Sequence, residues 1–590
     1  MARKLPRKDV VIIGLGWTGS LLANELTDAG LDVVAIERGP WRDTATDFSP
    51  AQSPDELRYA IRLDLFQRPA QETYTIRHNA QQTALPIRQF GAFLPGTGVG
   101  GAGAHWNGHT WRFNETDFRL RSHLTSRYGA DAIPEDMSIQ DWAVSYDDLE
   151  PFYDAFEKIA GISGKAGNLR GQIQEGGNPF ESPRQNEYPL PPLKDNYSNE
   201  LFAQAARSMG YKPFSRPCSN ASQTYTNPLG VTMGPCTYCG FCERFGCGNY
   251  SKGSPQTCVL PVLMRKSNFE ARTNSEVLKI LKHPSGERAS GVLYVDASGE
   301  TFEQPADIVL VCPFGLHSVR LLLLSGIGTP YDPVTGEGTV GKNFAYQTSG
   351  SARLFFEGKH FNPFIAAGGF AQCIDEFNGD NFDHGGLGFV GGACIATSNT
   401  HGRPISSSQI VPPGTPQWGS GWKKQLADTY QNSMLVSGQG SSYSYRDCYL
   451  DLDPTYTDRF GRPLLRMTFD WKDNERKMTK FIAEKCVEIG KTMGAKTIAA
   501  STSTENPFSV VPYQTTHTTG GAIIGDSPKN SVVNRYMQSW DLHNVFVMGA
   551  SAFPQNPGYN PTGTVAALAL WASHAIRTQY LQQNGPLVRS

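Results

Sequence analysis

The feature that most constrains this 590-residue chain is a strand–glycine–helix–strand unit near its amino terminus. The segment 9–19 reads DVVIIGLGWTG, an apolar strand that leads into a glycine-rich turn. The pattern predicts a helix over 20–27 and a second apolar strand over 31–36, which ends at Glu37. This order of elements is typical of the first unit of a dinucleotide-binding fold.

Each glycine of this unit is expected to have a different structural role. Gly14 is expected to form the tight turn, Gly16 to admit a pyrophosphate to the backbone, and Gly19 to pack the helix on the strand. Glu37 lies 18 residues beyond the last glycine, where an acid would hold a ribose hydroxyl. Glycines, helix, strand and acid in register indicate a bound nucleotide more strongly than the glycine motif alone.

The sequence that follows favours a flavin over a nicotinamide dinucleotide. An NAD enzyme would typically complete one contiguous nucleotide domain. Here the chain passes through loop-rich, proline-containing segments and becomes glycine-rich again at 95–108. Long insertions between such pieces suit an FAD domain that is assembled from separated segments.

The stretch 100–113, GGAGAHWNGHTWRF, combines glycines with polar and aromatic side chains. Glycine allows backbone to approach another group closely, so we expect this stretch to pass the flavin ring. A nitrogen of His105 at the flavin edge could bond covalently to the ring's methyl carbon, which would retain the cofactor and raise its potential. Packing is the alternative role. Asn107 and His109 are weaker candidates, for hydrogen bonding at the flavin edge or for capping.

A block of cysteines suggests a metal centre. Five of the eleven cysteines lie between residues 236 and 258, and the first four have the spacing C-x2-C-x2-C-x4-C: Cys236, Cys239, Cys242 and Cys247. Thiolates this close suit an iron–sulfur cluster. Zinc sites usually pair two well-separated knuckles, and the sequence has no second, distant C-x2-C. A disulfide-rich loop is the third alternative, and the spacing does not distinguish a three-iron from a four-iron cluster.

Two polar residues near the carboxyl terminus form the candidate catalytic pair. His517 lies in THTTGG and Asn560 in GYNPTGT, each at a predicted turn where a side chain can face a pocket. Oxidation of an alcohol by hydride transfer needs a base within reach of the hydroxyl proton, and neutral imidazole suits that role. A second polar group must hold the substrate oxygen. Capping or packing at the turns is the alternative. The helix expected over 561–572 would favour negative charge on the flavin's pyrimidine end.

Composition excludes several function classes. The formal net charge is -2, from 53 basic and 55 acidic residues, which gives no reason to expect a nucleic-acid binder. Mean hydropathy is -0.38, and no apolar run approaches the roughly 18 residues of a membrane-spanning helix. Basic residues before residue 9 resemble the start of a signal peptide, but the glycines that follow favour a first strand. Taken alone, this predicts a cytoplasmic protein.

These pieces, in this order, resemble the glucose–methanol–choline (GMC) family of flavoprotein oxidoreductases over nearly the whole chain. Four blocks carry the resemblance: VVIIGLGWTGSLLANEL with AIERG, GVGGAGAHWNG, LLLLSGIG with VGKNF, and HTTGG with NVFVMGASAFPQNPGYNPTGTVAALAL. The resemblance implies an α/β fold with a Rossmann-like FAD-binding domain assembled from discontinuous segments, plus a substrate domain with an antiparallel sheet. We expect the FAD domain over 1–344, with an iron–sulfur segment at about 215–260, the substrate domain over 345–505, and a return to the FAD domain over 506–590.

The resemblance also assigns site residues. It implies catalysis by His517 and Asn560, and a covalent flavin on His105, since GGxxxHW is similar to members whose histidine carries the flavin. The expected cofactor-binding residues are Gly14, Gly16, Gly19, Glu37, Gly100, Gly101, His105, Asn107, Val277, Ala550, Asn560 and Thr562. One departure is Gly549, where many members have an aspartate near the pyrophosphate, so that contact is in doubt.

Within the family, the opening KDVVIIGLGWTGS and the block CTYCGFCERFGC resemble the large subunits of bacterial membrane-bound sugar and sugar-acid dehydrogenases. This resemblance implies FAD with a [3Fe-4S] cluster, a small exported subunit that carries the signal peptide, and a multihaem cytochrome c subunit that passes electrons to quinone. It implies hydride transfer from the C2 alcohol of D-gluconate to flavin N5, on the periplasmic side of the inner membrane.

Other interpretations stay open. The substrate could be 2-ketogluconate, fructose, sorbitol or glucose, or the chain could be a self-sufficient sugar oxidase with a structural disulfide knot. A flavin-binding scaffold without turnover is the non-enzymatic alternative. Four basic residues are candidates to pair with a substrate carboxylate, with surface salt bridges as their commoner role: Arg112, Lys342, Arg353 and Arg446.

Overall fold

A mostly parallel sheet brings together strands that lie far apart in the sequence. The computed structural model describes residues 2–50, 53–398, 403–405, 410–513 and 515–589. Five parallel strands lie side by side in the order Phe269–Arg272, Val33–Ile36, Lys8–Ile13, Thr301–Val311 and Val545–Val547. Their central residues form continuous buried apolar runs, as expected of strands covered on both faces.

An antiparallel extension completes this parallel sheet. Ala289–Val295 pairs with the first half of Thr301–Val311 and with Glu276–Lys282 on its other side. The short strand Arg3–Lys4 pairs in parallel with the same long strand. Because the sheet takes strands from residues 3–36, 269–311 and 545–547, the prediction of a Rossmann-like domain built from discontinuous segments is confirmed.

Helices pack around the glycine-rich turn of the first strand. Trp17–Asp28 begins directly after Gly16, and Thr562–Ala575 packs between it and Tyr146–Ala160. The last of these begins at a capping box formed by Ser145 and ends at Gly161, whose φ of 62° is left-handed. The carboxyl-terminal helix therefore packs against the amino-terminal unit.

A six-stranded antiparallel sheet, called here the cavity sheet, forms the second layer. Its order is Thr497–Thr502, Thr348–Phe355, Ser433–Gly440, Ala393–Ser398, Gln372–Ile374 and Phe214–Ser215. One face packs against the helix Asp473–Thr492 through residues such as Leu354, Val436 and Ile482. Alternate residues of the same strands, many of them serines, point to the opposite face. The predicted antiparallel sheet is confirmed.

A separate four-stranded sheet combines two distant segments of the chain. The hairpin Tyr449–Thr457 with Pro463–Thr468 pairs in parallel with Thr75–Arg77, which pairs with Leu85–Pro86. A strand expected within the substrate domain thus joins one from residues 1–344, and Phe214–Ser215 joins the cavity sheet from that same range. The domain boundaries at 344 and 505 stay a prediction.

The remaining elements are short or peripheral. The α-helices are Thr44–Asp47, Ala102–His105, Glu115–Phe118, Leu120–Tyr128, Tyr197–Ser208, Pro255–Cys258, Leu260–Leu263, Gly315–Ser325 and Gly419–Thr429, with π-helical turns at Leu57–Ile61 and Ile576–Tyr580 and 3-10 turns at Ala130–Ala132 and Ala550–Ala552. Two-stranded pairs join Asn168–Leu169 to Gln172–Ile173, Tyr225–Thr226 to Thr232–Met233, and Ala345–Tyr346 to Thr518–Thr519. Across the described residues, none of the helices combines the length and apolarity needed to cross a bilayer.

Candidate active site

A cavity of about 330 Å³ opens at the carboxyl end of the parallel sheet, where ligands bind in open α/β folds. We call it the glycine-lined cavity, because Gly14, Gly16 and Gly101 contribute backbone to its wall. Gly14 has a φ of 87°, a conformation that only glycine adopts without strain. A Cβ on Gly16 would meet its nearest neighbour only at 3.8 Å, so backbone there lies open to a ligand.

Two of the predicted cofactor-binding glycines lie outside this wall and pack instead. A Cβ on Gly19 would lie 2.1 Å from the carbonyl oxygen of Gly14, so the helix can approach the strand only with glycine here. Gly100 has a φ of 92°, and a Cβ there would meet the side chain of Gln256 at 2.2 Å. Gly19 packs the helix on the strand, as the sequence analysis expects, and Gly100 packs against Gln256. That either glycine contacts the cofactor stays a prediction.

Glu37 lines the cavity at the end of its strand, but its carboxylate also organises the loop. One oxygen accepts the backbone N–H of Leu15 at 3.0 Å and the other accepts that of Gly39 at 2.8 Å. The carboxylate therefore ties the glycine-rich turn to the second strand. Val277, Ala550 and Thr562, which are also predicted cofactor contacts, line the same cavity.

His105 and Asn107 present unpartnered polar atoms to this cavity. The ring of His105 packs on Phe66 with centroids 4.2 Å apart, and its Nε2 has no hydrogen-bond partner. Burial lowers the pKa of His105 to about 3, and the cation of Lys252 acts in the same direction. The side-chain oxygen of Asn107 is likewise buried without a partner. Buried polar atoms normally have partners, so both atoms await a ligand with complementary groups.

His517 and Asn560, 43 residues apart in the sequence, lie side by side in the structure. Nε2 of His517 is 3.4 Å from Nδ2 of Asn560. The other ring nitrogen, Nδ1, bonds to the side-chain oxygen of Gln347, whose Nε2 donates to the carbonyl oxygens of Tyr559 and Pro557 at 3.2 and 3.3 Å. Since that amide nitrogen is the donor, its oxygen must accept, so Nδ1 carries the hydrogen and Nε2 has a free lone pair.

Burial keeps His517 in this neutral form. It lowers the pKa of His517 to about 3, so the imidazole is uncharged at neutral pH. An uncharged ring with Nε2 facing the cavity can accept a proton from a bound hydroxyl. The same side chain cannot act as an acid before turnover.

Two hydrogen bonds hold Asn560. Its Oδ1 accepts from Nε1 of Trp111 at 3.1 Å, and its Nδ2 donates to Gln439 at 2.7 Å. Nδ1 of His109 lies 3.2 Å from the same Oδ1. The two hydrogen bonds fix the amide with Nδ2 toward His517. Burial lowers the pKa of His109 well below its usual value, and the charge of Arg216 adds to this effect.

The sequence reasoning missed Gln347, Gln439 and the role of Trp111. Gln347 and Gln439 lie at strand ends of the cavity sheet, far from any motif, and carry no local signal. Trp111 lies within the stretch that the sequence singled out, and its donor-only indole N–H was the signal available.

A second cavity, of about 530 Å³, adjoins the first and shares Asn107, His109, Gln439 and Asn560 with it. We call it the serine-lined cavity, because the open face of the cavity sheet gives it the side chains of Ser349, Ser351, Ser398, Ser437, Ser501 and Ser503. Hydroxyls can donate and accept hydrogen bonds, which suits a polyhydroxylated ligand. The candidate catalytic pair therefore lies where a glycine-walled and a hydroxyl-walled space meet, with Asn560 lining both.

The four predicted metal ligands are gathered, though not arranged as a finished site. Cys236, Cys239, Cys242 and Cys247 line one small cavity, and all eleven cysteines are free thiols. Beside them, the fully buried Nζ of Lys252 donates to the carbonyl oxygens of Trp106, Phe245 and Cys242 at 2.7, 2.8 and 2.9 Å. A search of the described residues finds no group of three or more potential ligands placed to hold a metal ion. The disulfide alternative is not seen.

The glycine-lined cavity meets the requirements of a bound FAD. The backbone at Gly16 is open, and the helix Trp17–Asp28 points its amino end there. His105 and Asn107, which line the same cavity, each have an unpartnered polar atom among the described residues. These are the features that a pyrophosphate and a flavin ring need. The residues present therefore fit the cofactor that the sequence predicts.

Comparison with known proteins shows the family of the chain. Two family models described as GMC oxidoreductase match residues 140–349 and 444–569. The chain is 50% identical to the gluconate 2-dehydrogenase flavoprotein of Pantoea cypripedii, covering 100% of this chain and 97% of that protein. It is 25% identical to the fructose dehydrogenase large subunit of Gluconobacter japonicus, covering 98% and 99%. The crystal structure of pyridoxine 4-oxidase from Mesorbium loti shares the fold, with a TM-score of 0.61 and 16% identity over 98% of this chain and 100% of that one. The chain belongs to the GMC oxidoreductase family and is an FAD-dependent oxidoreductase of alcohol groups.

Proposed function

We propose that this protein oxidises the C2 alcohol of D-gluconate to 2-keto-D-gluconate. The observation that carries the proposal is the His517–Asn560 pair at the junction of the two cavities, with a free Nε2 lone pair beside an amide N–H. Full-length similarity to the Pantoea flavoprotein supports a sugar acid as the substrate. The related fructose dehydrogenase subunit makes other sugars and polyols the alternative substrates.

In this proposal His517 Nε2 accepts the proton of the C2 hydroxyl. Asn560 Nδ2 lies 3.4 Å from that nitrogen and donates to the same hydroxyl oxygen, which orients the C2–H bond. Gln347 keeps the hydrogen of His517 on Nδ1, so the base is correctly protonated before the substrate arrives. FAD, when bound, supplies the acceptor for the hydride at N5. Proton and hydride together account for the two electrons and two protons lost by the alcohol.

The cofactor would be held by the residues of the glycine-lined cavity. We assign the phosphates to Gly14, Gly16 and the start of the following helix, and a ribose to Glu37, whose carboxylate also holds two backbone N–H groups. We assign the flavin edge to Asn107 and to the unpartnered Nε2 of His105, which is the proposed covalent attachment point. Trichloroacetic acid precipitation tests this bond: flavin should stay with wild-type protein and be released from His105→Ala.

We further propose an iron–sulfur cluster, as [3Fe-4S], on the thiols that line the small cavity. The shared cavity and the buried Lys252 cation support it, since a thiolate-bound cluster carries negative charge. Such a cluster would supply one-electron transfer to an acceptor. Iron and acid-labile sulfide content, with the electron paramagnetic resonance signal, test it: Cys239→Ser should lower all three, whereas Cys448→Ser, at a buried thiol far along the chain, should not.

The proposed setting is a complex on the periplasmic side of the bacterial inner membrane. Its other members would be a small exported subunit with the signal peptide and a multihaem cytochrome c subunit that passes electrons to quinone. The similarity to a large subunit and to a flavoprotein component supports this arrangement. Co-purification with a haem-staining polypeptide from membranes tests it.

The substrate is tested with a panel. FAD-loaded protein is mixed with a dye acceptor and gluconate, 2-ketogluconate, fructose, sorbitol or glucose, and kcat/KM is compared. The proposal expects gluconate to exceed the others by at least about 10-fold, since each well-made polar contact to a charged group contributes that much. Preference for a neutral sugar contradicts the sugar acid. Rapid peroxide formation without dye would favour a self-sufficient oxidase.

A further inference from the structure

A C2-oxidising site for a sugar acid has a requirement that a sugar or polyol site lacks. The carbon that loses hydride carries the carboxylate directly, so the anion must lie close to the base that takes the hydroxyl proton. Burying a carboxylate without a cationic partner is costly. The wall near His517 and Asn560 must therefore offer a positive charge that no protein carboxylate already occupies. The identity of the residue that recognises the substrate carboxylate is inferred on the basis of the proposed function.

None of the four basic residues suggested by the sequence meets this requirement. Arg112, Lys342, Arg353 and Arg446 lie outside the described lining of both cavities. Arg112 is buried between two carboxylates, with Nε donating to Glu157 at 2.8 Å and NH1 donating to Glu150 at 2.8 Å. Its charge is therefore already balanced within the protein.

Four charged residues line the serine-lined cavity within the described ranges: Arg216, Glu243, Arg244 and Arg403. Arg244 and Arg403 share one carboxylate, because Glu243 lies 3.6 Å from the first and 3.5 Å from the second. Arg244 also stacks on Tyr513, with the guanidinium carbon 4.6 Å from the ring centroid. Arg216 makes no ion pair with any carboxylate in the part of the chain that the structure covers.

A short chain of contacts links the segment of Arg216 to Asn560. Its segment runs antiparallel to the one that carries His109, with the Thr110 N–H donating to Pro217 O at 3.2 Å. His109 in turn contacts Asn560 at 3.2 Å. The charge of Arg216 is close enough to depress the pKa of His109, which agrees with this placement.

One hydrogen bond holds the guanidinium of Arg216 in place and, among the described residues, leaves its terminal N–H donors unused. Its Nε donates to the carbonyl oxygen of Gly369 at 2.9 Å, which holds the side chain against the loop that also bonds His109 through Gly368. This contact uses one of five N–H donors and leaves the terminal nitrogens for another acceptor. Those nitrogens form a planar fork that matches a carboxylate.

We propose that Arg216 binds the substrate carboxylate and thereby directs C2, rather than another carbinol carbon, to His517. With the anion held at Arg216, the adjacent hydroxyl is the one that reaches the His517–Asn560 pair, and the remaining hydroxyls extend over the serines of the cavity sheet. Arg216 is thus a specificity-determining residue that separates a sugar-acid dehydrogenase from a sugar or polyol dehydrogenase on the same scaffold.

Gluconate and gluconamide, its neutral isostere, form the test pair. Wild-type holoenzyme with a dye acceptor should prefer gluconate in kcat/KM. Arg216→Gln should lower kcat/KM for gluconate by about 10- to 100-fold, mainly through KM, because a charge-assisted hydrogen bond is lost. The value for gluconamide should fall by only about 3-fold, since its amide oxygen can accept a hydrogen bond from Arg216 but carries no charge for the guanidinium to pair with. Arg216→Lys, which keeps the charge and loses the fork, should fall between them. The control is Arg207→Gln, at an exposed arginine of the helix Tyr197–Ser208.

Each outcome decides something different. Equal losses for both substrates in Arg216→Gln would mean that Arg216 only supports the loop of His109, which overturns the proposal. So would a selective loss of gluconate turnover in Arg403→Gln with none in Arg216→Gln. If the wild-type enzyme oxidises neutral sugars and not gluconate, both the proposed function and the carboxylate-binding role of Arg216 are wrong. If the wild-type enzyme oxidises gluconate and gluconamide equally well, the proposed function stands and only the role of Arg216 is wrong. The flavin absorbance spectrum verifies that every variant is loaded.

Discussion

The glycine-lined and serine-lined cavities meet at Asn560, yet they are built in opposite ways. The first is walled partly by backbone from turns such as Gly14–Gly16, where Gly14 has a left-handed φ and a Cβ on Gly16 would project into open space. The second is walled by side chains on the open face of the cavity sheet, where each residue can be exchanged without moving the strand. The difference indicates that cofactor binding is sensitive to backbone and that substrate choice is sensitive to individual side chains.

The largest effect is expected at the junction, where both cavities depend on one residue. His517→Ala removes the neutral base and should slow flavin reduction by gluconate by about 10²- to 10⁴-fold, the usual contribution of general base catalysis. Flavin content should not change, because the cofactor contacts lie elsewhere in the cavity. Stopped-flow bleaching of the flavin measures the rate. His360→Ala, at an exposed histidine, is the control. A loss below about 10-fold would remove His517 from the chemistry.

The backbone character of the first cavity is tested at Gly19. Gly19→Ala places a Cβ 2.1 Å from the carbonyl oxygen of Gly14, and backbone cannot yield as a side chain can. We expect a loss of about 3 kcal/mol in the free energy of unfolding, with low flavin content after purification. Thermal denaturation and the flavin-to-protein absorbance ratio report both.

The matched control for that change is Gly30→Ala, in the same unit. Gly30 has a φ of 86°, but a Cβ there would have no neighbour within 4 Å, so only the backbone conformation resists the change. A cost of about 1 kcal/mol and full flavin loading are expected. Equal losses in the two variants would show that the steric contact at Gly19 is unimportant.

The side-chain character of the second cavity is tested at Ser437. Ser437→Ala removes one hydroxyl from the open face of the cavity sheet, and KM for gluconate should rise by about 3- to 10-fold, the worth of one neutral hydrogen bond. Flavin content and thermal stability should stay at wild-type values. Ser433→Ala, on the same strand but outside the cavity lining, should change KM by less than about 2-fold. Flavin loss in Ser437→Ala would contradict the division between the cavities.

The smallest effect is expected from pH. Burial lowers the pKa of His517 to about 3, so acidification protonates this base far below the pH at which an exposed histidine would lose its lone pair. The rate constant for flavin reduction should therefore change by less than about 2-fold between pH 8 and pH 5, where a histidine of ordinary pKa near 6.5 would lose most of its neutral form. An acidic limb centred near pH 6.5 would mean that His517 is not buried as described.

Elements with a strong local pattern could be predicted from the sequence. The helix predicted over 20–27 and the strand predicted over 31–36 each agree at both ends with the observed Trp17–Asp28 and Val33–Ile36 to within three residues. Strand partners could not be predicted: Pro463–Thr468 pairs with Thr75–Arg77, which lies outside the proposed substrate domain. Pairing depends on contacts between distant segments, which a local pattern does not encode.

The site divides in the same way. His105, His517 and Asn560 could be singled out because each lies within a distinctive short motif, and all three line the glycine-lined cavity. Gln347 and Arg216 have no motif around them. Their roles arise from which face of a strand or loop they occupy after the sheets have assembled.

The sequence by itself determined the cofactor fold, since a turn that needs glycine at Gly14 and close packing at Gly19 is written in consecutive residues. It also singled out the candidate catalytic pair and the four thiols that line the small cavity. Only the tertiary structure decided which tautomer of His517 faces the cavity and which arginine has a free guanidinium fork. Both features depend on hydrogen-bond and charge partners that remote segments of the chain provide. These partners reach the His517 ring and the arginine side chains only after the segments have folded together.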